Sequence, residues 1–178
     1  MFKVQCSMLA IALFFLVSCG EEEKPKEEYT NDQLKKILEN SNKVKNQREE
    51  EDILNFFKRR EMKPEKTGTG VYYYVYKKGD EKQKIIQSGN YVKVVFNVSL
   101  IDGKLCYSTN ETGPLEIMVE KAEVESGLHD VLVHLRKGDK AIVLIPSHRA
   151  HGLLGDLEKI PAISTVVYDI EILDVNLK

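Results

Sequence analysis

Between residues 91 and 100, apolar and polar positions alternate in step. Val92, Val94, Phe96, Val98 and Leu100 form one wholly apolar set, against Tyr91, Lys93, Val95, Asn97 and Ser99. Side chains of an extended strand point to opposite faces in turn, so this spacing predicts a strand with one buried face. The same period returns near the C-terminus, where Val166, Tyr168, Ile170 and Ile172 face inward against Thr165, Asp169 and Glu171. Further strands are expected at residues 71–77, around Leu115, Ile117 and Val119, and at residues 141–145, a run closed by Pro146. Asp102-Gly103 is a tight-turn signal. Over residues 124–135 the period changes, and Val124, Leu128, Val131, Leu132 and Leu135 share one helical face. About five strands with one short helix predict an α+β domain, whose sheet must bury one face against that helix. Its span, residues 67–178, is roughly 110 residues, ample for one core.

Residues 31–66 read as a separate helical arm, helical over 31–62, with Asn31 or Asp32 as the N-cap. Leu34, Ile37, Leu38 and Val44 make one narrow stripe, and Ile53, Phe56 and Phe57, with Arg60, make a second. Glu49, Glu50, Glu51 and Asp52 precede the second stripe, and acids in a first turn suit the positive end of a helix dipole. Two readings of the arm stay open. It packs on the domain or spaces it from a membrane, or it is a dimerisation or client-holding arm acting through residues 31–62. Thr67-Gly68-Thr69-Gly70 is a loop that leads into a strand, which rules out a phosphate cradle opening a helix.

The first 18 residues have the make-up of a targeting segment. Lys3 supplies the positive charge and residues 8–17 an apolar run of ten, too short to span a bilayer as a helix. The run ends in Leu16-Val17-Ser18-Cys19-Gly20, which resembles a bacterial lipobox, with Cys19 as the acylated first residue after processing. Stable anchoring takes more than one acyl chain. Residues 19–30 then form a charged tether. Of the three cysteines, Cys6 leaves with the leader and Cys19 carries lipid, so Cys106 has no partner for an internal disulfide. A net charge of −2 with no basic stripe argues against nucleic acid.

Taken in series, the apolar strand, Asp102-Gly103-Lys104, the short helix, Gly138-Asp139, Ile145-Pro146-Ser147, Gly152, Ile160-Pro161 and the closing strand resemble an FKBP-type prolyl isomerase. The wording of residues 145–161 is similar to gliding-motility-associated FKBP-type lipoproteins of Bacteroidetes. The resemblance covers about 60% of the chain. It implies an antiparallel sheet half-wrapped around one short helix, preceded here by the helical arm, with an active cleft between sheet and helix. It further implies Phe96 as a pocket aromatic, Leu115 and Ile117 as a matching apolar pair, and Val124 as a wall. The main-chain N–H of Glu125 would bind a substrate carbonyl. Leu128 would lie on the floor, His151 at the lip, Ile160 at the rim and Tyr168 on the last strand facing in.

The chain departs from the family pattern at three places. Leu128 stands where Trp is usual, which is expected to leave a deeper and less shaped cavity. His151 stands for Tyr at the lip. Cys106-Tyr107 replaces Phe-Asp, removing an acid from the cleft. The activity implied is rotation about X-Pro bonds in unfolded or exported polypeptides, with no cofactor and no metal. The expected setting is the cell envelope, through lipid on Cys19 and most readily at the outer membrane. The alternative is a non-catalytic FKBP fold that holds clients or serves an envelope machine. His148 and His151 share one loop, but without a cysteine or a helical frame they read, like His129 and His134, as surface or lip histidines rather than metal ligands. Ser147, His148 and Asp156 lack the nucleophile elbow that a hydrolase triad needs.

Overall fold

In the computed structural model, which describes residues 29–121 and 124–176, one antiparallel sheet carries every long-range pairing between named strands. Its strands are β1 (Glu65–Lys66), β2 (Tyr72–Lys77), β3 (Tyr91–Leu100), β4 (Leu105–Ser108), β5 (Leu115–Met118), β6 (Lys140–Ile145) and β7 (Val166–Asn176). The order is β1-β2-β6-β7-β3-β4, and β5 also pairs with β3. β4 and β5 share one edge of β3, β4 opposite residues 97–99 and β5 opposite residues 91–94. The seven strands exceed the five expected because β1 and β4 are too short to show a period. The 1–18 leader, Cys19 and nearly all of the tether lie outside the described residues.

β3 and β7 form the longest ladder, from Tyr91 opposite Asn176 to Leu100 opposite Val166, with an irregularity between Lys93 and Val94. The alternation in both strands lands as read. Val92, Val94 and Val98 join Val166, Tyr168, Ile170 and Ile172 in one core cluster. Against them lies the short helix α3 (Ser126–Leu132), whose Leu128, Val131 and Leu132 are fully buried. This helix is shorter than residues 124–135. Glu125 is extended and acts as its N-cap, and the chain after Leu132 tightens into turns, with His134 N–H bonded to Val131 and Leu135 N–H to Leu132. Leu135 still packs in the core, since a tight turn keeps the residue three positions on the same side.

The helix α1 (Asn31–Lys58) begins where expected but ends before residue 62, and Thr30, not Asn31 or Asp32, is its cap, in a reciprocal capping box with Gln33. The four acids do not open a helix but sit inside this one, where two of them hold tertiary contacts. Glu49 is buried and accepts the Ser147 N–H at 3.1 Å, while Glu50 accepts from Lys66 at 2.6 Å and from the Tyr72 hydroxyl. Ile53, Phe56 and Phe57 cover the sheet face opposite α3, against Tyr72, Leu144 and Val167. The sheet is therefore buried on two faces rather than one. Arg60 lies over the Phe56 ring at 3.6 Å. The first stripe behaves differently: Leu34, Ile37, Leu38 and Val44 are all exposed. Among the described residues no helix is long and apolar enough to cross a membrane.

Phe57 is 1% exposed, so Phe57→Ala is expected to cost about 3–5 kcal/mol in urea unfolding. Leu38→Ala, on the uncovered stripe, should stay within about 0.5 kcal/mol. Equal losses at the two positions would show that the two halves of α1 are docked alike.

Candidate functional site

Phe96 and Tyr168 meet diagonally across the β3–β7 ladder. Val98 is the residue opposite Tyr168 and Ile170 the one opposite Phe96, so the two rings are offset neighbours on the core face. Diagonal positions of this kind are within reach of aromatic side chains. The rings pack edge to face with centroids 5.3 Å apart. They form one wall of a cleft of about 680 Å³. Leu115 of β5 and Val124 just before α3 add apolar surface, and Ala150 and His151 close one side. Tyr107 and Ser108 of β4 and the one-turn helix α2 (Thr109–Thr112) also contribute to the lining. α2 is tied to β3 by Thr109, whose Oγ1 accepts the Phe96 N–H at 2.8 Å and donates to the Phe96 carbonyl at 3.1 Å.

Of the nine residues the resemblance points to, the structure brings Phe96, Leu115, Val124, Glu125, His151 and Tyr168 around this one cleft. Ile117, Leu128 and Ile160 are buried in the core and do not line it. Leu128 in particular opens no deeper floor. It is fully buried among neighbours that close over it, as close-packed interiors require. Tyr107, which the sequence places at a cleft position, does line it, whereas Thr109, Glu111 and Lys159 are site residues that the sequence reading does not include. The one local signal was Ser108 followed three positions later by Glu111, an N-terminal helix signature; the Ser108 side chain indeed accepts the Asn110 N–H.

Inside the cleft wall stands a carboxylate. Glu125 Oε2 accepts the Tyr168 hydroxyl at 2.6 Å, and its Oε1 lies 2.7 Å from His151 Nε2. The His151 contact is close but not aligned as a hydrogen bond, so it acts as a contact of charge when the ring is protonated. Burial, followed by the charge of Glu125, pushes the Tyr168 hydroxyl well above its ordinary range, which keeps it a donor. These three residues join the last strand, the cap of α3 and the lip loop. Of the other histidines, His134 and His148 are exposed but His129 is not a surface residue. It is buried, and its Nδ1 accepts the Glu120 N–H at 3.1 Å. Among the described residues no group of three or more His, Cys, Asp or Glu side chains is placed to hold a metal ion.

The lip loop is organised by Asp156. Its carboxylate accepts the N–H groups of Glu158, Lys159 and Ile160 and the Tyr107 hydroxyl. Burial pushes this carboxyl up, but the bonds from Tyr107 and the three main-chain donors outweigh it and bring it down to about 2. Tyr107, beside Cys106, is in this way tied to the loop. Gly155 has φ +72°, and a Cβ there would run into the Ile160 carbonyl, so glycine is needed for the loop to close on itself. Cys106 is buried, and that burial pushes its thiol up, which suits an inert core residue.

With this geometry in place, comparison with known proteins is direct. A model of the FKBP-type peptidyl-prolyl cis-trans isomerase family matches residues 82–173, just over half of the chain. The chain belongs to that family. It is 31% identical over 150 residues to the FKBP-type peptidyl-prolyl cis-trans isomerase FkpA of Buchnera aphidicola subsp. Schizaphis graminum, covering 80% of this chain and 58% of that protein. It is 34% identical over 113 residues to a probable FKBP-type peptidyl-prolyl cis-trans isomerase of Haemophilus influenzae, covering 63% of this chain and 45% of that one. Against peptidyl-prolyl cis-trans isomerase FKBP9 of Homo sapiens it is 34% identical over 89 residues, 49% of this chain and 16% of that one. The chain thus spans less than two thirds of the length of these curated relatives.

Replacing Asp156 with Ala removes an acceptor held by several donors and is expected to cost about 2 kcal/mol near pH 7. Because the folded carboxyl sits below its ordinary value of 3.8, its contribution is present above about pH 4 and fades as pH falls towards 2. Urea unfolding of both proteins across that range should show the difference shrinking. A gap that persisted unchanged at pH 2 would contradict this account.

Proposed function

We propose that this protein is a peptidyl-prolyl cis-trans isomerase acting on exported polypeptides in the cell envelope. The observation that carries the reading is the cleft itself, where Phe96, Val98, Leu115, Val124 and Tyr168 converge. Rotation about an X-Pro bond is opposed by conjugation that keeps the amide flat, a barrier of about 18–20 kcal/mol. At the twisted midpoint conjugation is lost and the amide is less dipolar. An apolar, poorly hydrated wall therefore suits the twisted form better than the planar, strongly hydrated one. Only such differential stabilisation accelerates the step. A thousandfold effect needs about 4 kcal/mol. Glu125 caps α3 with an extended main chain at the cleft wall, and its N–H is the donor we assign to a client carbonyl.

Export and anchoring are part of the proposal. Residues 1–18 direct the chain out of the cytoplasm, Cys19 carries lipid, and the tether lets the domain reach clients near the membrane. The similarity of residues 145–161 to gliding-motility lipoproteins extends the proposal to the clients of a motility or secretion system. Two departures from the family pattern favour a second reading, in which the fold holds clients without turning them over: His151 stands at the lip in place of Tyr, and Tyr107 lines the cleft in place of an acid.

The full chain, solubilised in mild detergent, should accelerate a proline-limited peptide transition, with Phe96→Ala and Tyr168→Ala each slower by about tenfold or more, or about 1.4 kcal/mol. A wild-type rate no greater than that of the two variants would replace the isomerase reading with the holding one. Separately, cells given a radiolabelled fatty acid should label the wild-type protein and not Cys19→Ala, and the variant should leave the membrane fraction. Equal labelling of both would remove the anchor from the proposal.

A further inference from the structure

We propose that Glu125 makes this cleft select clients with a basic side chain beside the proline. The inference rests on the cleft being a proline-client site, and it names the client chemistry that this particular wall favours. Glu125 has only 12% of its side chain exposed, yet it lines the cleft. Neither of its two partners is a permanent cation. Tyr168 is neutral, and His151 carries charge only when protonated. A carboxylate has about four acceptor sites and the Tyr168 hydroxyl occupies one, so the group can still accept from a client.

Of the lasting positive charges nearby, one is paired with a carboxylate outside the cleft and the other stands in its lining. Arg149 donates to Asp130 at 2.6 Å. Lys159 sits 4.9 Å from the centre of the Tyr107 ring, whose hydroxyl is held by Asp156 with Glu158 at 3.4 Å. Glu111 adds another acid to the lining. With Glu111 and Glu125 set against Lys159, the lining holds two acids to one lysine and keeps a net negative charge. A cleft with low-dielectric walls concentrates such a field, and a charged donor meeting a carboxylate makes a stronger bond than a neutral one. A Lys or Arg next to the client proline gains this attraction. An Asp or Glu at the same place meets repulsion and loses water as well.

The bond from Tyr168 to Glu125 has a plainer role too, since it ties the last strand to the start of α3. The test must separate that strut from selectivity. Three peptides alike except for Lys, Leu or Glu before the proline are assayed with the full chain in detergent. Wild type should rank them Lys, Leu, Glu, with the Lys peptide ahead of the Glu peptide by about tenfold in kcat/KM, or about 1.4 kcal/mol. In Glu125→Gln the Lys peptide should slow relative to Leu and the Glu peptide should gain relative to Leu. A weakened strut would lower all three together and leave their ratios unchanged. Equal wild-type rates for the three peptides, or ratios that survive in Glu125→Gln, would overturn the inference. If wild type turned over none of them, the isomerase reading would fall, and the same peptides, fluorescently labelled, would then be compared by binding anisotropy. Tighter binding of the Lys peptide than the Glu peptide would sustain the inference, and equal affinities would end it.

Discussion

The β3–β7 ladder sets both the core and the cleft, because its register decides which way every side chain on the two strands points. With Val98 opposite Tyr168, the apolar set of β3 and the apolar set of β7 fall on the same side of the sheet. A slip by one residue would send Phe96 and Tyr168 to opposite faces and dissolve the aromatic wall. The burial of Val92, Val94, Val166, Ile170 and Ile172 makes such a slip expensive, so the core enforces the geometry of the site. β4 and β5 then sit on the edge of β3 away from β7, and these strands, α2 and the lip loop all contribute to the cleft lining.

The chemistry this arrangement supports is one of exclusion rather than attack. Phe96, Leu115 and Val124 offer no group that could share a covalent step, and Cys106 lies buried in the core. A polar link runs from Tyr168 through Glu125 to His151. It places charge beside the apolar wall, and it joins the lip to β7 and to the start of α3. Asp156 performs a similar service for the loop, converting a run of exposed residues into a fixed rim through three main-chain donors.

How much of this was legible follows from which interactions are local. Strands β3, β6 and β7 announce themselves, since burial of one face writes a period of two, or a continuous apolar run, into neighbouring residues. The ends of α3 do not: a turn that keeps Leu135 inward has the same spacing as a helix that continues. The acids at 49–52 were misread as a helix start because their partners are remote. Glu49 meets Ser147, 98 residues away, and Glu50 meets Lys66 and Tyr72 across a loop. The side chain of Glu125 was equally opaque, since its hydroxyl donor is 43 residues on. Family resemblance located the apolar pocket positions, but it carried no information on polar contacts peculiar to this chain. Leu128 was expected to open the floor, and only the packing of its neighbours shows that the floor is closed.

The docking of Ile53, Phe56 and Phe57 on the sheet has a consequence for biogenesis. Their platform is built from Tyr72, Leu144 and Val167, and the last of these belongs to β7. Synthesised from the N-terminus, the chain presents this greasy patch long before its cover exists. A nascent chain therefore carries an unsheltered sticky segment for most of its translation, and hydrophobic surface left open in this way invites misassembly. Whatever escorts the polypeptide at that stage must shield the patch until the final strand arrives.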